Sequence, residues 1–410
     1  MNESCTNESF MKKNIGKEAE ESRNRNFGAG KKIPVYLGRW GFPGSQGERG
    51  ILTASYDLET GEFTVLDRVE PGLNAGQVVS DKARGLLYYT NERSGPAGQA
   101  GGEIYTFRAD PETGSLTACG HVSSLGNLPS YPALTGNTKF LVVTHHAGSG
   151  SVFKTVTKDD GTIEMAEVFE ETSLVLFRLD PEGCPEKAVD LVRFFGHGAN
   201  PDQKNPHLHS VKLSPDGRIL FVCDKGTDQV FSFRVDTEAG KLVMLDCLSG
   251  LPGSSPRYAV FHPEAPYIYF NNETRSVLNT VRYDEAGKLE LVNSISCRED
   301  GSLDEKGSQC DLVITKDGRF LYETVRETAQ VAVFEIDPET HLPKFIEVID
   351  AGNRQAGRGL MLSPDERFLH VAAMPDNGIS TYKRKADGRL EYVRHQLEEE
   401  SLISLITFMA

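Results

Sequence analysis

From residue 34 onward the chain runs in short β-prone stretches separated by tight-turn residues. The clearest unit is 207–247. Val211, Lys212 and Leu213 alternate in the strand period, and Ser214-Pro215-Asp216-Gly217 is turn chemistry. A β-rich run over 219–223 is broken by Asp224-Lys225-Gly226-Thr227-Asp228. A third run over 230–235 places Phe231 and Phe233 on one side, Thr237-Glu238-Ala239-Gly240 turns the chain again, and 242–247 is a fourth run. The unit predicts four antiparallel strands joined by short turns.

The same layout recurs. The third-to-fourth turn reads as Glu59-Thr60-Gly61, Glu112-Thr113-Gly114, Asp159-Asp160-Gly161, Glu238-Ala239-Gly240, Glu285-Ala286-Gly287, Glu339-Thr340-His341 and Ala386-Asp387-Gly388. These seven occurrences, at a period of about 50 residues, predict an all-β, seven-bladed β-propeller of four-stranded antiparallel blades, since each small sheet can bury its faces only against its neighbours. The one long interval, between Gly161 and Gly240, predicts an insertion at about 165–205 containing an extra β-like run at 173–179. A β-prone run at 402–408 follows the last fourth strand, and Pro34-Val35-Tyr36-Leu37 begins the repeats. Pairing of these N- and C-terminal strands would close the ring and leave no open edge. The expected organisation is a disordered tail over 1–33 and one propeller over 34–410.

Composition changes this picture little. Of the 410 residues, 38% are hydrophobic and 25% charged, and no apolar stretch approaches the ~20 residues of a membrane helix. Residues 1–30 are rich in Asn, Glu, Lys and Ser and lack an apolar leader core, which predicts a tail without a secretory signal, no membrane association and a cytoplasmic location. A net charge of −15 argues against a nucleic-acid surface, though not against a small basic pocket. The seven cysteines are odd in number and include no CxxC pair. Cys119, Cys223, Cys247 and Cys297 fall in or beside predicted strands and are expected to be buried, reduced thiols.

In a propeller blade the first strand is innermost, so its start and the second-to-third loop share one face of the disc. At the first set of positions lie Tyr131, His207, His209, Arg257 and Arg358; at the second lie Asn91, Glu92, His145, His146, Asp224, Asn272, Glu273 and Arg326. Each has an ordinary structural explanation when taken alone: a packed histidine, a surface arginine, an aspartate capping loop amides. Together, two arginines, a carboxylate and a histidine at equivalent positions point to an anionic substrate and acid/base chemistry in one solvent-filled funnel.

Pro206-His207-Leu208-His209-Ser210, Ser214-Pro215-Asp216-Gly217 and Asp224-Lys225-Gly226-Thr227-Asp228 resemble the lactonase family of seven-bladed propellers, which includes the propeller-type 6-phosphogluconolactonases and the carboxy-cis,cis-muconate cyclases. Ser255-Pro256-Arg257-Tyr258, Phe261-His262-Pro263 and Asn272-Glu273 match its further landmarks, and the likeness runs over 35–408. The resemblance implies catalytic roles for His209, Arg257, Glu273 and Arg326. Tyr131, His146, His207, Asp224 and Arg358 would then contact substrate. Val325 before Arg326, Glu327 after it, Tyr258, Lys225, the pair His145-His146 and Gly357 depart from the usual pattern, which bears on substrate choice. The expected reaction is hydrolysis of a small anionic sugar lactone, 6-phosphogluconolactone first, in the pentose phosphate pathway. Water is the nucleophile and no cofactor is needed. A lactone-forming cyclase and a non-enzymatic protein-binding propeller are the alternatives. Gly38-Arg39-Trp40-Gly41 opens no dinucleotide-binding unit, and the four histidines, from two blades without dense carboxylates, do not suggest a metal.

Overall fold

The computed structural model describes residues 31–409 apart from 43, 71, 96–100, 149, 304–306, 327, 352–356 and 374–376. Of the expected tail over 1–33, residues 1–30 lie outside the described residues, while Lys32 and Ile33 belong to a strand. Seven four-stranded antiparallel sheets follow one another: blade 1 over 75–123, blade 2 over 129–194, blade 3 over 208–249, blade 4 over 256–296, blade 5 over 309–350 and blade 6 over 359–396. Blade 7 joins the two ends of the chain. Its innermost strand is Ile403–Phe408, and Lys32–Arg39, Gly50–Asp57 and Phe63–Val69 complete it, with Val35 opposite Phe408 and Leu37 opposite Ile406. The predicted closure is therefore present, and the strand that pairs with Ile403–Phe408 begins two residues before the expected boundary, at Lys32.

Sequence dictates the radial order. Second strands such as Leu86–Asn91, Phe140–His145 and Phe320–Val325 are buried at every residue, because a neighbouring blade covers each face. Outer strands such as Leu116–Ser123 are largely exposed and carry polar residues. Between blades 3 and 4, Phe221, Cys223 and Val230 meet Ala259, Ile268 and Phe270 in a closed apolar layer. A fully buried side chain of this kind contributes roughly 1.5–3 kcal/mol.

A recurrent clasp links blade to blade. Tyr88 of blade 1 donates its hydroxyl to the carbonyl of Gly183 in blade 2 (2.6 Å), Tyr269 of blade 4 to His341 in blade 5 (2.8 Å), and Tyr322 of blade 5 to Gly388 in blade 6 (2.9 Å). Each acceptor sits in a third-to-fourth turn at positive φ. His341 takes this conformation at 56° despite its side chain, preserving a turn that elsewhere uses glycine.

The clasp to Gly183 corrects the expected insertion. The third strand of blade 2 is Thr172–Leu179, paired with Phe140–His145 on one side and Pro185–Phe194 on the other, so 173–179 belongs to the blade itself. Its third-to-fourth turn is 180–183. The inserted element is a hairpin of Ser151–Thr157 and Ile163–Phe169, with Asp159-Asp160-Gly161 at its tip. That turn has the same local chemistry as a blade turn. The difference is burial: Phe153, Ile163 and Met165 are exposed on the hairpin, whereas 172–177 is buried throughout. The cysteine expectation also needs amending. Cys223, Cys297 and Cys310 are buried free thiols, but Cys119 and Cys247 lie on outer strands and are exposed.

Candidate active site

The funnel is built from loop chemistry. The Asp224 carboxylate accepts from its own loop and from the start of the first strand, taking Gly226 N at 2.9 Å and Thr227 Oγ1 at 2.8 Å in the one and His207 N at 2.7 Å in the other. These bonds set the second-to-third loop of blade 3 and leave Asp224 fully buried beneath it, so its place is in the scaffold rather than at the cavity surface. Asp228 does the same for blade 4. It accepts from Gly253 N (2.6 Å), Ser255 N (2.9 Å) and Gln203 Nε2 (2.7 Å), holding Ser255 at a φ of 58° immediately before Pro256 and Arg257. Fixed loops on either side thus deliver Lys225, Arg257 and Glu273 to one point.

Glu273 is the centre of charge. Its Oε2 lies 2.7 Å from Lys225 Nζ and 3.0 Å from Arg257 Nε, and its Oε1 lies 3.4 Å from Arg326 Nη2. Burial alone would raise its pKa, but Lys225, Arg257 and Arg326 outweigh burial and hold the carboxyl well below the usual range. Arg257 is buried, contrary to a residue bathed by a solvent-filled funnel; only 3% of its side chain is accessible. Its Nη1 donates to Cys310 Sγ at 2.8 Å, and burial, which opposes its charge, is overcome by Cys310 and Glu273. Arg326 is more open, at 24%.

Three imidazoles face this cluster. His146 stacks on His207 with ring centroids 4.6 Å apart and meets His209 edge-on at 5.8 Å. His207 Nδ1 pairs with the carbonyl of His146 at 2.8 Å, fixing the stack. Burial first, with Lys225 adding to it, depresses the pKa of all three; for His209 the Arg257 charge is the larger neighbour. At neutral pH the site therefore holds neutral imidazoles beside an ionised carboxylate and three cations. Its charge excess is positive even though the chain carries −15. Beside it opens a cavity of about 650 Å³ lined by His146, His207, Lys225, Glu273, Gln203 and Arg275, within the size range of small-molecule sites.

A family model described as "Lactonase, 7-bladed beta-propeller" matches residues 39–405. The chain belongs to that family. It is 24% identical over 363 residues to the 6-phosphogluconolactonase of Bacillus subtilis, covering 87% of this chain and 93% of that one. Identity to the 6-phosphogluconolactonase of Formosa agariphila is 25% over 369 residues, covering 88% and 95%. Among solved structures it is similar to the periplasmic gluconolactonase PpgL of Pseudomonas aeruginosa (TM-score 0.78, 22% identity, covering 92% of this chain and 99% of that one). It is also similar to a putative 6-phosphogluconolactonase of Bacteroides fragilis (TM-score 0.77, 23% identity, covering 93% and 99%). These structural likenesses concern the propeller itself.

Within this family propeller, the structure brings His146, His207, His209, Arg257, Glu273 and Arg326 together. Tyr131 is not among them. It faces the opposite end of the central channel, where its hydroxyl accepts from Lys212 Nζ and both residues, with Asp311, line a separate cavity of about 450 Å³. Tyr258 is the plug between the two ends, edge-on to Tyr131 at 5.7 Å and tilted against His209 at 4.9 Å. The innermost strand runs the full depth of the disc, so a residue near its start can face away from the funnel. Arg358 stands at the funnel's other flank, its Cζ 3.3 Å from the centroid of the Trp40 ring and its Nη2 3.9 Å from Glu92 Oε2.

Lys225, Cys310 and Trp40 were not singled out as site residues by sequence. Lys225 follows Asp224 in a loop already marked as important, and its position one residue into the second-to-third loop matches that of Glu273 after Asn272. That equivalence was the available signal. Cys310 touches Arg257 across blades, and no local pattern announces such a contact.

Proposed function

We propose that this propeller hydrolyses a sugar lactone, with 6-phosphogluconolactone the first candidate. One observation carries the reading: Glu273 is held ionised among Lys225, Arg257 and Arg326, near a neutral His209, and with Lys225, His146 and His207 it lines a cavity of suitable size. The net positive cluster suits an anionic substrate and the oxyanion that forms when water adds to its carbonyl, and a water-poor wall strengthens both interactions. In the proposed reaction His209 accepts a proton from water as the water oxygen bonds to the lactone carbonyl carbon. The tetrahedral oxyanion collapses with cleavage of the ring C–O bond, and His209 returns the proton to the departing ring oxygen. Glu273 keeps the three cations converged and balances the imidazolium while it exists.

The relatives named 6-phosphogluconolactonase support the choice of substrate. The same proposal includes a cytoplasmic location and a role in the pentose phosphate pathway, supported by the buried free thiols of Cys223, Cys297 and Cys310, which suit a reducing compartment. Lactone disappearance measured against spontaneous ring opening, on 6-phosphogluconolactone and on gluconolactone, tests it. Acceleration with preference for the phosphorylated substrate is expected; rates equal to the buffer blank on both overturn the proposal.

A further inference from the structure

The funnel has a second pole that the reaction above leaves unused. Trp40, from the second-to-third loop of blade 7, Glu92, from that of blade 1, and Arg358, from the first strand's start in blade 6, meet on the side away from Glu273. One residue staples the Trp40 and Glu92 loops together. Asn74 Oδ1 accepts from Gly41 N at 2.9 Å, its Nδ2 donates to Glu92 O at 2.7 Å, and Glu92 N donates to Asn74 O at 2.9 Å. Space is reserved for Glu92 as well, since a Cβ on Gly76 would stand 2.7 Å from both its Cβ and Oε2.

The pole is built but incompletely paired. Arg358 Nη2 and Glu92 Oε2 are 3.9 Å apart, longer than a hydrogen bond, and both side chains keep some accessibility at 10% and 14%. The buried Trp40 Nε1 lies beside the Glu92 carboxylate without a hydrogen bond of good geometry. Burial raises the Glu92 pKa against the pull of Arg358, Arg257 and Lys225, consistent with a carboxyl its neighbours do not saturate. One cation and one carboxylate leave this pole without net charge, unlike the cluster around Glu273.

We infer that Trp40, Arg358 and Glu92 form the subsite for the hydroxylated, uncharged part of the ligand. A hydroxyl is both donor and acceptor, so it can accept from Arg358 and donate to Glu92 across the gap between them. An anionic group goes instead to Lys225, Arg257 and Arg326. The assignment rests on the lactonase reading for ligand orientation, and it makes Glu92 a specificity residue.

Trp40 is the only tryptophan in the chain, so its fluorescence reports on this pole alone. The test titrates the purified protein with gluconate and with hexanoate, which share a six-carbon carboxylate and differ in the hydroxyls. Gluconate is expected to give a saturable change at concentrations at least about tenfold below any hexanoate response. Glu92→Gln should weaken gluconate by about tenfold to a hundredfold, the scale of a hydrogen bond to a charged group, and leave hexanoate unchanged. Should that variant misfold by circular dichroism, Arg358→Lys, which keeps the charge but loses the planar fork, should show the same selective loss. Equal responses to the two acids in the unmodified protein, or an unchanged preference in the folded variant, overturn the inference. Binding needs no turnover: selective gluconate binding without lactone hydrolysis would reject the proposed reaction and leave this subsite standing.

Discussion

Lys225 Nζ lies 2.7 Å from Glu273 Oε2, on the same carboxylate oxygen that receives Arg257 Nε at 3.0 Å. One oxygen thus joins a loop of blade 3 to the first strand of blade 4, and Arg326 of blade 5 joins at the other oxygen. Three successive blades are tied by one side chain, so changes at Lys225 or Arg326 should be felt at Glu273 before they are felt by the fold.

The first prediction follows from that geometry. Lys225→Met removes a cation that depresses the Glu273 pKa, so that pKa should rise. If ionised Glu273 is required, activity is present above its folded pKa and lost as pH falls through it. The acid limb of kcat/KM should therefore move to higher pH in the variant. A pH profile checks this, and an acid limb that stays in place would show that Glu273 ionisation does not govern the reaction.

Proton transfer is tested at His209 and Glu273. His209→Gln and Glu273→Gln should each lower kcat by about 10²–10⁴-fold, the usual contribution of a positioned proton-transfer group or of its electrostatic partner. The double variant should lose less than the product, because the two interact through the same charge cluster. Single-turnover rates on a lactone decide the matter; full activity in either single variant removes that residue from the mechanism.

The blade count and ring closure were legible because strand alternation and turn chemistry are local and recur. Legibility failed where two segments had the same local signature and differed only in what covered them. The Asp159-Asp160-Gly161 hairpin tip and the 180–183 blade turn are such a case, decided by the clasp to Gly183 from Tyr88, a residue 95 positions earlier. For the site, first-strand starts indicated His209 and Arg257 and second-to-third loops indicated Glu273 and Arg326, because topology sends both sets of positions to one face. Tyr131 shows the limit of that rule: residue number along an inner strand does not reveal which end of the channel a side chain will face. Cys310 lay beyond sequence altogether, since its meaning comes from Arg257 across a blade boundary.

The two arginines should separate in stability. Arg257 is 3% accessible, bonded to Glu273 and Cys310, and packed over Tyr258 with its Cζ 4.8 Å from the ring centroid. Arg257→Ala should therefore cost about 2–4 kcal/mol of folding free energy as well as activity. Arg326, 24% accessible, should cost less than about 1 kcal/mol when changed to Ala while still weakening turnover. Urea unfolding of both variants beside the unmodified protein measures the contrast. Equal stabilities would mean that Arg257 is held in the site without supporting the blade interface.

The last prediction concerns Glu323, a fully buried carboxyl in the second strand of blade 5. Cys297 donates its thiol to Oε2 at 2.9 Å, Oε1 makes no hydrogen bond of good geometry among the described residues although the Asn271 amide lies close by, and burial pushes its pKa up to about 8. In the unfolded chain a glutamate titrates near 4.3. Between these values the folded state holds a proton that the unfolded state has released, so this residue makes stability fall as pH rises. The slope is at most about 1.4 kcal/mol per pH unit, and it ends once pH passes the folded value. Glu323→Gln keeps the shape and removes the titration. Whatever fixed difference the amide introduces, the stability of the variant relative to the unmodified protein should improve steadily from pH 5 to pH 8. Paired urea unfolding curves at pH 5, 6, 7 and 8 give that difference directly. A constant difference would mean that Glu323 is ionised inside the blade, which would require a compensating cation or water cluster next to Oε1.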